Sequence, residues 1–262
     1  WRAYVVTDLE TYVTGVVPGE IPAAFPREAQ RTQAILARTY AVSSLPEGVR
    51  GAPIVVSDSG GDDQEYHGIP AQAQHRAVAE DAVSSTRGLV LLDGAAPLRA
   101  WYHSTCGGHT ADAAPVFGVA PRAALAGVPC SWCTSSKYYR WSAALPADAV
   151  LQAARLQAPL EGFAVGGADA AGRARGFRIR AAGKQHSVAA PAFRLRVGPS
   201  LLRSCLLESA RLEGGQVLVA GRGWGHGVGL CQIGAKTLAE QSRTAEDILA
   251  TYYPGTRITR LW

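Results

Sequence analysis

Glu20 is the carboxylate in this sequence whose surroundings best suit acid–base chemistry. It lies between Pro18-Gly19 and Ile21-Pro22, so apolar neighbours flank it and two prolines restrict the backbone. Burial among such neighbours disfavours the charged form of a carboxyl group and raises its pKa. A raised pKa keeps the group protonated near neutral pH, as a general acid requires. The alternative is an exposed carboxylate in a turn, which is the commoner fate of a glutamate.

A second candidate region is a run in which glycines alternate with larger residues from Gly221 to Gly229. Glycine lacks a Cβ atom, so the backbone can adopt positive φ angles and a ligand can approach closely. Trp224 and His226 project to one side of such a run, because alternate residues of an extended backbone share a face. The run therefore predicts a ligand-binding groove contacted by Trp224 and His226, with a flexible glycine-rich loop as the alternative.

Cysteine spacing indicates a metal site or a disulfide. Cys106 and His109 form a CxxH pair, and Cys130 and Cys133 form a CxxC pair about two dozen residues later. Two such pairs have the shape of a tetrahedral zinc site. A disulfide from Cys106 to Cys130 or Cys133 is the alternative for an exported protein. Zinc is slightly favoured, and four protein ligands would make it structural. The two other cysteines, Cys205 and Cys231, are interpreted as packing residues.

Further polar and aromatic residues offer weaker signals. His103 and Ser104 raise the hypothesis of a serine hydrolase, but Ser104 is not within a G-x-S-x-G elbow. Tyr66, Trp101 and Trp224 have rings that could stack on sugars, although aromatic residues more often pack in a core.

Helical signals dominate the first part of the chain. We expect a helix from Thr7 to about Val16, because Thr7-Asp8-Leu9-Glu10 is a capping-box pattern and Pro18-Gly19 should end it. A second helix is predicted from Pro26 to Ser44, with Ala29, Gln33, Leu36 and Tyr40 on one stripe. A polar loop follows from about Ser57 to Pro70, and a third helix runs from Ala71 to Ser85.

Strand signals appear later in the chain. A hairpin across Asp93-Gly94 should join Leu89–Leu92 to Leu98–His103. Further helices are predicted from Pro146 to Gln157 and from Thr244 to Tyr252, and a strand from Val217 leads into the glycine run. Helices mixed with antiparallel hairpins predict an α+β fold in a single domain over residues 1–262. Residues 160–192 contain two short alternating strands and are interpreted as a peripheral, β-rich insertion.

Composition excludes some classes of function. The 262 residues are 47% hydrophobic, which suffices for a sizeable core, and no apolar run is long enough to span a membrane. The net charge of +5 is modest and the arginines are scattered, so nucleic acid is not an expected partner. Another kind of anionic polymer would also be attracted to such a slightly basic surface. Any membrane attachment is expected to come from a segment before Trp1.

The longer motifs resemble the SpoIID/LytB family of bacterial sporulation and cell-wall proteins. The opening motif of that family is similar to two segments, Leu9–Pro22 and Phe25–Ala41. Its later motifs are matched, in order, by Asp63–Tyr66, His103–Thr110, Phe193-Arg194, Gly221–Ala235 and Tyr252–Thr256. The resemblance covers essentially the whole chain, apart from the stretch of about 166–190.

The resemblance implies a lytic transglycosylase that acts on peptidoglycan glycan strands, with Glu20 as the general acid and base. Such an enzyme needs no cofactor and no second carboxylate. The substrate-binding residues in the matching segments would be Arg38, Tyr40, Gln64, Tyr66, His103, Ser104, Trp224, His226 and Gln232. The protein would be exported to the periplasmic or cell-wall side of the membrane, where other cell-wall hydrolases are candidate partners.

Two alternatives remain open. The chain could bind glycan strands without cutting them, because some relatives enhance other wall hydrolases. It could instead be a zinc hydrolase, although a closed set of four protein ligands leaves no site for water. If the chain does cleave glycan strands, the glycine run is expected to form a wall of the sugar-binding cleft beside Glu20.

Overall fold

The computed structural model describes residues 6–44 and 64–262. The chain forms two compact units, one containing Trp1–Trp101 and Ala235–Trp262 and the other Tyr102–Gly234. The predicted polar loop from Ser57 lies largely outside the described residues. Among those residues, no helix is long and apolar enough to cross a membrane.

The elements mix helices with short, mostly antiparallel sheets, which confirms the predicted α+β class. The helices are α1 (Leu9–Glu20), α2 (Arg27–Ser43), α3 (Ala73–Ser85), α4 (Ala113–Phe117), α5 (Ala147–Ala154), α6 (Ala190–Val197), α7 (Gln232–Glu240) and α8 (Ala245–Tyr252), with a 3-10 turn at Ala123–Leu125. The strands are β1 (Leu89–Asp93), β2 (Ala96–Pro97), β3 (Tyr102–His103), β4 (Arg140–Pro146), β5 (Leu160–Val165), β6 (Gly176–Ala181), β7 (Lys184–Ala189), β8 (Leu207–Glu213), β9 (Gln216–Arg222), β10 (Leu230–Cys231) and β11 (Arg257–Arg260).

In the first unit, α1, α2 and α3 pack on one another, and β1 pairs with β2 and β11. The predicted stripe of α2 is confirmed, because Ala29, Gln33, Leu36 and Tyr40 are all buried. Helix α8 begins at the predicted position, where the Thr244 side chain caps it in a capping box with Asp247.

Helix α1 differs from its predicted bounds at both ends. Asp8, rather than Thr7, is the N-cap, and its side chain accepts a hydrogen bond from the backbone N–H of Thr11. The helix does not end before Pro18 but runs on to Glu20. Pro18 removes one backbone donor from the helix, but the ladder continues past it, because the N–H of Ile21 still bonds to the carbonyl of Val17. The extension makes Glu20 the final helical residue.

The second unit has two three-stranded sheets, β4-β9-β8 and β5-β6-β7, over one core. Phe163 and Phe177 come from the β5-β6-β7 sheet and pack beside Phe193 of α6; the ring centroids of Phe163 and Phe193 lie 5.0 Å and 5.1 Å from that of Phe177. Trp141 and Val217 of the other sheet belong to the same core. Residues 160–192 thus supply side chains to this core, and the two predicted strands are present as β6 and β7.

The predicted hairpin after Leu89 forms only in part. Strand β2 is short, and the N–H of Leu98 still bonds to the carbonyl of Leu91 at 3.0 Å. A tight turn, in which the N–H of Trp101 bonds to the carbonyl of Arg99, then ends the pairing. Beyond it, Tyr102–His103 pairs in parallel with Leu230–Cys231. This pairing brings residues from distant parts of the sequence together within the second unit.

Candidate active site and metal centre

Two glycines on α1 let a neighbouring segment lie directly against the helix. Gly15 and Gly19 are one turn apart, so they share a face. A Cβ atom at Gly15 would lie 2.4 Å from the ring of Tyr66, and one at Gly19 would lie 2.7 Å from the carbonyl oxygen of Glu65. The N–H of His67 also donates to the carbonyl of Gly15 at 3.1 Å. Residues 64–68 are thereby held along the second half of α1.

Glu20 lies where this segment meets the end of α1. Its Oε1 accepts a hydrogen bond of 2.8 Å from the backbone N–H of Glu65, and the side chain is partly exposed. After it the chain leaves the helix, and the N–H of Ile21 donates to the carbonyl of Val17 at 3.1 Å. The carboxyl group is thus oriented by a backbone donor and remains accessible from solvent. This arrangement suits a residue that exchanges a proton with a bound substrate.

The predicted binding residues Gln64 and Tyr66 have different environments. Gln64 is buried, and its Nε2 donates to the Tyr12 hydroxyl at 3.1 Å and to the Ala37 carbonyl at 3.3 Å. It fixes the segment rather than facing solvent. Tyr66 is partly exposed and stacks on Tyr12, with ring centroids 5.6 Å apart and planes 9° apart. Tyr66 is therefore the more accessible of the two, and its ring could contact a ligand.

Arg38 lies in the interior, although the resemblance implied a substrate contact. Its Nη2 lies 2.6 Å from Glu10 Oε2, and its Nη1 donates to the Leu89 carbonyl at 3.1 Å. The guanidinium is fully buried, and Glu10 also accepts the N–H of Gly88 at 3.1 Å. The sequence position of Arg38, off the hydrophobic stripe of α2, indicated a polar environment but did not identify Glu10 as its partner. Arg38 links α2 to Glu10 of α1 and to Leu89 of β1, and its contact with a substrate stays a prediction.

Tyr40 is also buried, in a second cationic contact. Its hydroxyl accepts a hydrogen bond from Arg99 Nη2 at 2.6 Å, and the Arg99 guanidinium lies 3.9 Å from the ring centroid. The aromatic face is therefore covered by this guanidinium. A cavity of about 540 Å³ lies between α1 and α3 and is lined by Asp8, Glu10 and Glu80 among others; Asp8 caps the helix and Glu10 pairs with Arg38.

The glycine run has the positive φ angles that the sequence predicted, but the chain itself occupies the space. A Cβ atom at Gly223 (φ +80°) would lie 2.5 Å from the Thr105 carbonyl oxygen. One at Gly227 (φ +89°) would lie 2.4 Å from the guanidinium carbon of Arg173. These glycines admit neighbouring segments of the same unit. The predicted position of the run beside Glu20 concerns two different units and stays a prediction.

His103 and His226 lie together within the second unit, with ring centroids 5.6 Å apart. His103 is buried, and its Nδ1 donates to the Val228 carbonyl at 3.0 Å, since a carbonyl oxygen can only accept. Nδ1 of His226 accepts the N–H of Val228 at 3.0 Å. Burial, followed by the charge of Arg194, lowers the pKa of His226 to about 3, and burial likewise lowers that of His103. Both rings are neutral near pH 7 and stabilise the run.

Trp224 forms a partly exposed aromatic surface with Tyr138, with ring centroids 4.1 Å apart and planes at 73°. Lys137 Nζ lies 4.9 Å from the Tyr138 ring centroid, and the Arg203 guanidinium carbon lies 5.7 Å from it. Aromatic faces beside cations suit sugars that carry acidic groups. Tyr138 carried no signal in the sequence, because its role depends on contact with a residue far along the chain.

Ser104 and Gln232 follow the paired strands β3 and β10. The carbonyl of Ser104 accepts the N–H of Ile233 at 3.1 Å, and its hydroxyl lies 3.4 Å from that of Thr105. Both Ser104 and Gln232 are partly exposed. The Ser104 hydroxyl contacts the hydroxyl of Thr105, and the His103 ring bonds to the Val228 carbonyl. These contacts do not pair Ser104 with His103 as the nucleophile and base of a serine hydrolase.

Four buried cysteines form a compact cluster in the second unit. The sulfur atoms of Cys106, Cys130, Cys133 and Cys231 all lie within 4.8 Å of one another. The sulfurs of Cys106 and Cys133 are 3.4 Å apart, far from the roughly 2.05 Å of a disulfide bond. All five cysteines of the chain are free thiols, so the predicted disulfide alternative is not present.

The fourth member of the cluster differs from the predicted set. His109 is outside it, and its Nδ1 lies 2.6 Å from the carbonyl oxygen of the adjacent Thr110. Gly107 and Gly108, with φ of +79° and +119°, turn the chain between Cys106 and His109. Cys231 takes the position instead, because the pairing of β3 with β10 brings its sulfur 3.3 Å from the backbone nitrogen of Cys106. The sequence interpretation of Cys231 as a packing residue missed this role.

The donor set fits zinc. Four cysteine sulfur atoms within 4.8 Å of one another resemble the all-cysteine sites that hold zinc tetrahedrally. Hydrogen bonds with Cys106 and Cys130 lower the pKa of Cys133, whereas hydrogen bonds with Cys130 and Cys133 raise that of Cys106. Four thiol ligands would complete the coordination and leave no position for a water molecule. A metal here would therefore stabilise the unit rather than catalyse a reaction.

Comparisons with known proteins agree with these motifs. Residues 1–92 match the family model SpoIID, described as stage II sporulation protein. The chain is 31% identical to stage II sporulation protein D of Bacillus subtilis, over 96% of this chain and 74% of that protein.

Two further relatives match nearly the whole chain. An uncharacterized protein of Brachyspira hyodysenteriae is 30% identical, over 96% of this chain and 66% of that protein. The amidase enhancer of Bacillus subtilis is 25% identical, over 94% of this chain and 40% of that protein. The similarity thus extends through both units, and the chain belongs to the SpoIID family.

Proposed function

We propose that the protein is a lytic transglycosylase that cleaves peptidoglycan glycan strands between N-acetylmuramic acid and N-acetylglucosamine. The observation that carries the proposal is the partly exposed Glu20 carboxyl, oriented at the end of α1 by the backbone N–H of Glu65. Family membership and the similarity to an amidase enhancer support a role at the cell wall. Strands without stem peptides are the expected substrate.

The proposed reaction uses one carboxyl group for both proton transfers. Glu20 protonates the oxygen that leaves C1 of the muramic acid, and the C1–oxygen bond breaks. The C6 hydroxyl of the same sugar then bonds to C1 and gives its proton to the Glu20 carboxylate. The product has a 1,6-anhydro end, no water is consumed, and Glu20 is again protonated. A hydrolase would instead use a second carboxylate to activate water or to form a covalent intermediate.

The test compares products of purified, peptide-free glycan strands by mass spectrometry. Wild-type protein should release fragments with 1,6-anhydro ends, and Glu20→Gln should release them about 10²- to 10⁴-fold more slowly, because the amide cannot donate and recover the proton. Glu240→Gln is the matched control, since this exposed glutamate pairs with Lys236 on α7. Activity retained by Glu20→Gln would contradict the assignment.

A glycan-binding role without cleavage is the second candidate, favoured by the match of 94% of the chain to an amidase enhancer. The partly exposed aromatic surface of Trp224 and Tyr138 would bind sugar rings in either case. Trp224→Ala should weaken binding to the strands about tenfold through lost stacking. The exposed Trp262 provides the control variant Trp262→Ala. Binding by wild-type protein without release of fragments would favour this second role.

We further propose a structural zinc ion held by Cys106, Cys130, Cys133 and Cys231. Metal analysis of purified wild-type protein should find one zinc ion per chain. Cys231→Ser should lose most of it, whereas Cys205→Ser should keep it, because Cys205 is outside the cluster. Equal zinc content in both variants would contradict the ligand set.

A further inference from the structure

Arg173 is a buried cation beside the cysteine cluster. Only 3% of the residue is exposed. Its Nη2 donates to the carbonyl oxygen of Cys106 at 2.6 Å and to that of His109 at 3.1 Å, and its Nε has no hydrogen-bond partner among the described residues. The guanidinium therefore lies against the loop that carries the first cysteine of the cluster.

No carboxylate of the described residues forms an ion pair with Arg173, in contrast to the buried Arg38. Arg38 Nη2 lies 2.6 Å from Glu10. The acidic residue nearest to Arg173 in sequence, Asp169, uses its Oδ1 to accept the backbone N–H groups of Ala171 and Arg173. A buried charge without an anionic partner is costly, so such charges are normally paired. Asp169 therefore shares its charge with backbone donors, and a further anion beside Arg173 would stabilise the guanidinium.

Thiolate groups can supply that anion. The Arg173 guanidinium donates to the carbonyl of Cys106, and the sulfur of Cys231 lies 3.3 Å from the backbone nitrogen of Cys106. Both cysteines belong to the proposed zinc set. Zinc bound by four thiolates carries a formal charge of minus two, so an adjacent guanidinium offsets part of that charge.

The position of the guanidinium is built into the fold. A turn closes where the N–H of Asp169 donates to the carbonyl of Arg173 at 2.8 Å. On the other side, a Cβ atom at Gly227 would lie 2.4 Å from the guanidinium carbon. The glycine run thus leaves room for a planar cation that a larger residue would displace.

We propose that Arg173 is the counter-charge of a metal–thiolate centre and that it tightens metal binding and protects the bound thiolates from electrophiles. This inference rests on the proposed zinc site. A nearby cation stabilises the thiolate form and lowers the energy of the sulfur lone pairs. Replacing Arg173 should leave the four ligands in place, weaken metal binding because the thiolate form is less stabilised, and make the bound thiolates more reactive toward electrophiles.

The experiment measures metal binding by wild type, Arg173→Gln, Arg173→Lys and Arg194→Gln, with circular dichroism to verify folding. Arg194 is the matched control, because it is also buried but its Nε donates to the Arg203 carbonyl and its charge acts on Cys205. Zinc affinity is determined by competition with a chromophoric chelator. Cobalt is then substituted for zinc, and the sulfur-to-cobalt charge-transfer band reports the charge around the thiolates.

Arg173→Gln should bind zinc about 10- to 100-fold more weakly and shift the cobalt band to longer wavelength. Iodoacetamide forms a sulfur–carbon bond, expels iodide and frees the metal, and it should do so faster in this variant. Arg173→Lys retains the positive charge and should restore the band, whereas Arg194→Gln should resemble wild type. These readouts separate a charge effect from mere support of the loop.

Three results would overturn the inference. If wild-type protein binds no zinc, both the zinc proposal and this inference are wrong. If wild type binds zinc and Arg173→Gln has the same affinity and band, only the role of Arg173 is wrong. If Arg173→Gln does not fold, Arg173→Lys decides, because a shifted band in that charge-retaining variant would contradict the proposal.

Discussion

The two ends of α1 each carry a partly exposed glutamate, and the two differ in their partners. Glu10 forms an ion pair with the buried Arg38 and accepts the N–H of Gly88. Glu20 accepts the backbone N–H of Glu65. A carboxylate paired with a buried arginine stabilises the fold, whereas a carboxylate oriented by a backbone donor and reachable from solvent can serve chemistry. The comparison indicates why only the second end of the helix is a candidate active site.

Polar groups of the glycine run in the second unit are paired within the protein, as Glu10 is at the first end of α1. Its histidines are neutral near pH 7 and bonded to the backbone, and its glycines admit the chain's own atoms. Mutations in these interior regions should therefore reduce stability. Mutation of Glu20 should reduce activity alone.

The largest effect on stability is expected for Arg38→Met. Removing the guanidinium leaves the Glu10 carboxylate without its partner, which should reduce the free energy of unfolding by about 3–5 kcal/mol. Arg27→Met is the control, since Arg27 pairs with Asp81 on the surface, and it should change stability little. Urea denaturation measures both. If both variants lost the same unfolding free energy, the claim that the Arg38 pair matters more than a surface pair would be wrong.

Gly227→Ala should have the next largest effect. The new methyl group would meet Arg173 at 2.4 Å on a backbone with φ of +89°. Gly214→Ala is the matched control, because it also has positive φ but nothing within 4 Å. In the control, the positive φ angle alone should reduce the free energy of unfolding, by about 1–2 kcal/mol. Gly227→Ala should lose about 1–3 kcal/mol more, from overpacking, and equal thermal stability of the two would contradict close packing.

The lowered pKa of His226 should make stability depend on pH. The pKa of His226 falls to about 3 in the folded protein from an ordinary value of 6.5. The unfolded chain therefore binds the proton first, so stability is complete above about pH 6.5 and declines as the pH falls toward 3, by up to about 1.4 kcal/mol per pH unit. His226→Asn should flatten this decline between pH 7 and 5, whereas the exposed His75→Asn should not. Parallel urea titrations at each pH measure the difference.

The smallest effect on stability is expected for Glu20→Gln. The amide keeps the shape of the side chain and an oxygen that accepts the Glu65 N–H, so the unfolding free energy should change by less than about 0.5 kcal/mol. Thermal denaturation of the variant and of wild-type protein measures this change in stability. A loss as large as that of Arg38→Met would mean that Glu20, too, is a structural carboxylate.

Local sequence patterns predicted the local structure well. The spacing of Ala29, Gln33, Leu36 and Tyr40 located the buried face of α2, and Thr244 located the start of α8. These signals involve neighbouring residues, so they are visible without the fold. Pro18 was misleading because a proline weakens a helix without always ending it, and here the helix continues to Glu20.

The polar interior could not be predicted in this way, because its partners are far apart in the sequence. Cys231 reaches the cysteine cluster across 125 residues, through the pairing of β3 with β10. Arg38 meets Glu10 across 28 residues. Arg173 lies in a stretch without a recognisable motif. Cys205 and Cys231 were both available as a fourth thiol ligand, but nothing local indicated which of them joins the cluster.

The most direct test of the central claim is digestion of peptide-free glycan strands in water labelled with heavy oxygen, followed by mass spectrometry of the new ends. If Glu20 passes a proton to the leaving oxygen and receives one from the C6 hydroxyl, wild-type protein will produce unlabelled 1,6-anhydro ends. Glu20→Gln will produce almost none. Reducing ends that contain the label would contradict the account, because they would show that water, and not the C6 hydroxyl, attacks C1.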